Sequence, residues 1–151
     1  MRSIKELGSL FRGPWKKKIV RLSNGIFSLD GIEHGIIRPE FQDPRIHFAV
    51  NRASRSCPPL ASRPYTGENL DEQLDAVTRS LLNDPERTRL EGDRLYLSKI
   101  FDWYAEDFGD PVRFVLRYAQ GDLQTRLRAC GAGGRPAYLD YDWSLNQVPS
   151  P

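Results

Sequence analysis

Leu70, Leu74, Val77 and Leu81 recur at intervals of four, three and four, and this stripe constrains the fold more than any other feature of the chain. At 3.6 residues per turn the four aliphatics share one face of a helix. Asp71, Glu72, Asp75 and Arg79 fall largely outside the stripe. The helix therefore has one dry side that must pack on something. Thr66 is the expected cap at its start, and "NDP" from Asn83 to Pro85 its stop.

The neighbouring segments supply partners for that face. "IKELGSLF" reads as a short helix ended by Gly13-Pro14, and "KKKIVRL" as a strand entering a turn at Asn24-Gly25. Ser28 is an expected N-cap, with Leu29, Ile32, Ile36 and Ile37 on one face, and Gly31 and Gly35 make that helix short or irregular. "DPRIHFAVN" predicts a strand with Ile46, Phe48 and Val50 on one side and His47 and Ala49 on the other. A Ser/Arg/Pro-rich loop spans Asn51 to Pro64. "TRLEGDRLYLS" predicts a hairpin turning on Glu91-Gly92-Asp93. "KIFDWYAEDFG" predicts an aromatic helix with Phe101, Tyr104 and Phe108 on one face and Gly109 as its stop. Two more helices follow, one opening at Pro111 and one over Asp122–Ala129, and "PAYLDYDWSLN" reads as a last strand and its exit. The fold class is α+β, with several amphipathic helices packed on a small sheet.

A chain of 151 residues suits one domain, 1–151, and 39% hydrophobic with 28% charged residues marks it as folded rather than disordered. With 22 basic and 20 acidic residues the net charge is +2, which gives no drive toward nucleic acid or a membrane surface. The run "WKKKIVR" reads as a solvated strand edge. No apolar run is long enough to span a bilayer, and the first residues lack the apolar core of a signal peptide, so the compartment stays open.

Few residues can carry chemistry. Cys57 lies beyond the expected strand that holds His47, and Arg52 and Arg55 stand close to it, cationic neighbours of the kind that activate a thiol. The other histidine is His34, and Glu33, Asp30 and Asp43 are the carboxylates nearest the two imidazoles in sequence. Each histidine reads either as a structural hydrogen-bonding group or as a general base, and Cys57 either as a small buried hydrophobe locking a loop or as a nucleophile. A zinc site from Cys57, Cys130, His34 and His47 lacks any paired ligand spacing, so no metal or cofactor is expected. "CGAGG" lacks the Lys-Ser/Thr of a phosphate loop and reads as a helix stop. Asp140 and Asp142 read as polar anchors, and the clusters "FDWY" and "YDW" as core.

"SLDGIEHGIIR", "DPRIHFAVNRASRSCPPL", "YTGENLDEQLD", "LYLSKIFDWYAEDFG" and "YLDYDWSLN" together resemble the family called domain of unknown function 547. The resemblance covers nearly the whole chain. It implies a further helical segment upstream with an aromatic-rich motif, which nothing here matches, so the chain is expected to begin inside an incomplete family domain. Surface left bare would then be covered by that N-terminal segment or by a protein partner. Family members usually carry a second cysteine where this chain has Arg52, which counts against paired-thiol or metal chemistry and leaves a single-thiol role. Plant members are often joined to leucine-zipper regions and others to redox-type or signalling domains, associations that suit an enzyme or an interaction module.

Two functions follow as expectations. One is a thiol-dependent hydrolase or transferase of the papain or transglutaminase kind, with Cys57 as nucleophile, His47 or His34 as base, and Asp43 or Glu33 orienting that base. The other is a binding or scaffold module in which Asn51, Arg52, Arg55 and Arg63 recognise an anionic group.

Overall fold

The computed structural model describes Ser3, Glu6, residues 13–131 and residues 135–147. The helix expected at "IKELGSLF" lies, apart from Glu6, outside the described residues. A 3-10 turn at Pro14–Lys16 leads into a hairpin of β1 (Lys18–Leu22) and β2 (Gly25–Ser28). Ser28 then caps α1 (Leu29–Ile32), its hydroxyl accepting from the Gly31 N–H. Helical backbone continues without a break through one π turn, Glu33–Ile37, into α2 (Arg38–Phe41). The expected irregularity around Gly31 and Gly35 is this π turn, a device often found beside functional groups.

The segment predicted as a strand is helical. α3 (Ile46–Ala49) is one turn long, and Asp43-Pro44 is the reason. The Asp43 side chain accepts from the Arg45 N–H at 2.9 Å, its carbonyl accepts from Ile46, and that of Pro44 accepts from His47. A carboxylate that satisfies free N–H groups next to a proline of fixed φ starts a helix and prevents an extended run. Ile46, His47 and Phe48 are consequently all buried, where a strand would have alternated.

α4 (Leu70–Leu82) bears the expected stripe: Leu74 and Leu81 are buried and Leu70 and Val77 half-buried. Thr66 does not cap it. Asn69 occupies that position, and Thr66 instead closes the preceding turn with its carbonyl. β3 (Thr88–Glu91) and β4 (Arg94–Leu97) pair antiparallel about Gly92, whose φ of 62° lies in the left-handed region. The expected single aromatic helix divides into α5 (Ile100–Trp103) and α6 (Ala105–Phe108), because Tyr104 leaves helical geometry at φ −119° and ψ 32°. α7 (Pro111–Tyr118) opens on an Asp110 cap and a proline, and α8 (Gly121–Ala129) follows. The last strand is shorter than expected: β5 (Ala137–Tyr138) pairs parallel with β4, giving the order β3-β4-β5. The rest of that segment runs on through bridges from Ser144 to Ser3 and from Leu145 to Ser54.

The helices enclose one aromatic core. Phe48, Phe101, Phe108 and Phe114 meet with centroids 4.3 to 6.2 Å apart, among Leu81, Leu82 and Val115. Such ring pairs add specific contact energy to the area they bury. Phe48 comes from α3, so the core fixes the turn that carries His47. Phe48→Ala is expected to lower unfolding free energy by about 3–5 kcal/mol, measured by urea denaturation. A loss below about 1 kcal/mol would show that α3 is not anchored through this ring.

Candidate active site

The loop after α3 turns back on itself. Ala53 adopts φ 59°, an uncommon conformation for a residue with a Cβ. Asn51 clamps the reversal: its side-chain oxygen accepts from the Ala53 N–H at 2.7 Å, and its amide donates to the Pro58 carbonyl at 2.6 Å. The Asn51 amide, named above as a candidate binding group, shapes this loop.

That shape places Cys57 inside, 2% exposed, with polar groups around its sulfur. The Arg52 N–H donates to Sγ at 2.9 Å, the Ser54 hydroxyl donates at 3.3 Å, and the Tyr141 hydroxyl lies at 3.1 Å. No histidine nitrogen is among these partners. Burial of Tyr141 and its bond to Cys57 raise the phenol's pKa, so Tyr141 keeps its proton.

His47 lines the same small cleft, of about 20 Å³, as Cys57, together with Glu33, Arg52, Tyr104 and Tyr141. Its side chain is 1% exposed, and its ring stacks on Tyr104 at 3.7 Å. Nε2 is 2.6 Å from Asp107, while Nδ1 is buried without a hydrogen-bond partner. Arg38 holds Asp107 from the other side with two bonds, Nε to Oδ2 at 2.9 Å and Nη2 to Oδ1 at 2.8 Å. Those bonds, aided by His47, keep the Asp107 pKa below its ordinary value against the effect of burial. An ionised carboxylate only accepts, so Nε2 carries the proton. Burial pushes the His47 pKa below 6.5 although Asp107 works against it, so the ring is neutral near pH 7 and Nδ1 bears a bare lone pair.

The other expected residues take different places. Glu33 is buried and receives Arg52 at 2.7 Å and the Tyr104 hydroxyl at 2.5 Å. It stands beside the cleft but has no hydrogen bond to His47. His34 is exposed, near Asp30, Glu33 and Arg38. Asp43 is bonded to Arg45, which outweighs burial and keeps its pKa low. The three arginines have separate surroundings: Arg52 is held by Glu33, exposed Arg55 lies 3.9 Å from Asp142, and Arg63 is exposed on the loop. Among the described residues no three His, Cys, Asp or Glu side chains gather as a metal would require. Cys130 is exposed at the end of α8.

Sequence reasoning missed Asp107, Tyr104 and Tyr141. Asp107 follows Tyr104 by three positions on the aromatic segment, so asking which carboxylate rises beside that tyrosine would have found it.

The chain matches the model of the family described as protein of unknown function, DUF547, over residues 2–82. It belongs to that family. No curated protein and no solved structure gave a match. The matched DUF547 segment contains Glu33, His34, Asp43, His47, Arg52 and Cys57, whereas Tyr104, Asp107 and Tyr141 lie beyond it. In this DUF547 protein the surroundings of the thiol and imidazole therefore draw on both halves of the chain.

A buried neutral histidine that becomes charged on unfolding makes stability depend on pH. The unfolded chain binds the proton first, so stability is full above about pH 6.5 and falls as pH drops toward the folded pKa. Urea melts between about pH 5 and about pH 8 should show this loss in the wild type and not in His47→Gln. Equal slopes in the two proteins would rule out a neutral buried His47. Asp43 and Asp107, whose pKa values are lowered, titrate below this window.

Proposed function

We propose that this protein is a thiol-dependent acyl hydrolase or acyltransferase, with Cys57 as nucleophile, His47 as general base and Asp107 as the carboxylate that orients it. The observation that carries the reading is the division of labour on His47. Nε2 is committed to Asp107, while the unpartnered Nδ1 belongs to a ring lining the cleft of Cys57. Nucleophile, base and orienting group in that order are what covalent acyl transfer requires.

In the first step Nδ1 takes the thiol proton as Sγ attacks the carbonyl carbon of an ester, thioester or amide. The C=O π electrons move to oxygen, then return as the bond to the leaving group breaks, and His47 gives its proton to that group. The product is an acyl-cysteine thioester. Water in a hydrolase, or an amine or alcohol in a transferase, attacks it with His47 again as base, and the sulfur recovers a proton. Asp107 stabilises the transient imidazolium without taking its proton. Tyr141 and the Arg52 N–H are the donors nearest the sulfur and are placed to help oxygen bear charge once an acyl group is bound. The resting cleft has room for about one water molecule, so substrate enters when the aromatic cover at Trp103 shifts.

Incubation of the Cys130→Ser protein with p-nitrophenyl acetate should give one acetyl adduct, which intact-mass and peptide analysis place on Cys57. His47→Ala should slow adduct formation by about 10²-fold, with Asp107→Asn between the two. The wild-type rate should fall on acidification with an apparent pKa below 6.5. Absence of the adduct on folded protein, or equal rates with and without His47, would remove the reading.

A further inference from the structure

On the far side of α3 from the core lies a cavity of about 520 Å³, walled by Ile37, Phe41, Ile46, Ala49, Leu70 and Leu74. Its volume is that of a small-molecule site. Phe41 is 56% exposed at this wall, a large apolar side chain that nothing in the described fold covers. The polar lining is Tyr65, Asp43, Arg45 and Asp71.

Arg45 decides what kind of head group the site accepts. Its Nε and Nη2 donate to Asp43, Nη2 also to Asp71 at 2.7 Å, and Nη1 donates to Asp75 at 2.6 Å and to the Asp71 carbonyl at 3.5 Å. A guanidinium has five N–H donors, and five carboxylate or carbonyl contacts absorb them. Among the described residues of the lining, two aspartates stand against one arginine, an excess of one negative charge. A free carboxylate or phosphate would meet repulsion and find the guanidinium donors of Arg45 already engaged. Tyr65 is the hydroxyl on the wall, and burial raises its pKa, so it offers a proton to a neutral carbonyl or alcohol oxygen.

We infer that this cavity binds a linear alkyl or acyl chain carrying an uncharged head. Val50 lines both this cavity and the cleft of Cys57, so the two spaces lie on either side of one residue. The inference stands without thiol chemistry, since it concerns binding alone.

The neutral fluorophore N-phenyl-1-naphthylamine, titrated into Cys57→Ala protein, should show saturable one-site enhancement. 1-Decanol should displace it, and decanoate at the same concentration should do so at least about tenfold less well. Ala49→Phe and Leu70→Trp, which fill the space from opposite walls, should each weaken uptake by about tenfold or more, with folding checked by thermal melting. No saturable uptake, equal displacement by decanoate, or unchanged uptake in both folded variants would overturn the inference. Because the protein tested lacks the thiol, none of these outcomes bears on acyl transfer.

Discussion

Asp107 is the contact on which the rest of the site depends. It stands on a four-residue helix, receives two bonds from Arg38 on α2, and lies 2.6 Å from Nε2 of His47 on α3. Two neighbouring helical turns thus meet a third, some sixty residues on, at one carboxylate. The paired arginine bonds fix the plane of the carboxylate, and the carboxylate fixes the tautomer of the imidazole. A buried imidazole without such a partner would turn to satisfy either nitrogen. Here one nitrogen is chosen as donor, and the other is left as an acceptor with no partner.

Much of the fold was legible because local rules and tertiary packing agree. The stripe of α4, the Gly92 hairpin, the Ser28 cap and the proline opening α7 each follow from spacing or from a residue with one strong conformational preference. The reading of Arg45–Val50 as a strand failed for a physical reason. Its apolar alternation is real, but the Asp43 side chain and Pro44 start a helical turn within two residues, and burial from several sides makes alternation irrelevant. Thr66 failed as a cap because a turn comes between it and the helix. The aromatic segment was read as one helix because periodicity ignores a break that carries the Tyr104 hydroxyl to Glu33.

Of the candidate site, the sequence pointed to the thiol and the imidazole and not to the groups paired with them. Cys57 and His47 were chosen for their chemistry, and both line one cleft. The carboxylate was chosen by nearness in sequence, which favours Asp43 and Glu33, and each of these is held by an arginine that a single sequence does not pair with it. Arg52 also has two roles that sequence cannot separate. Its guanidinium neutralises buried Glu33, a carboxylate that would be costly to leave unpaired, while its backbone N–H supports the sulfur. Only the second role is indifferent to side-chain identity, so a cysteine at this position would keep the bond to Sγ and leave Glu33 without its cation.

Burial and reactivity of Cys57 pull in opposite directions, and the way the cleft is covered relates them. Trp15, Trp103, Tyr141 and Trp143 lie over this side with centroids 4.6 to 5.9 Å apart. Two of the four come from the segment after β5, which returns along the loop of Cys57 through the Leu145 bridge and single bonds such as Arg55 N–H to the Ser144 carbonyl. Segments held by isolated bridges open at lower free energy than the helices of a core. Phe48 roots α3 in that core, so His47 and Asp107 can keep their geometry while the aromatic cover moves. On the proposed reading, groups rooted in the core beneath a cover tied by separate bonds would let a sulfur that is 2% exposed at rest meet a substrate without unfolding of the domain.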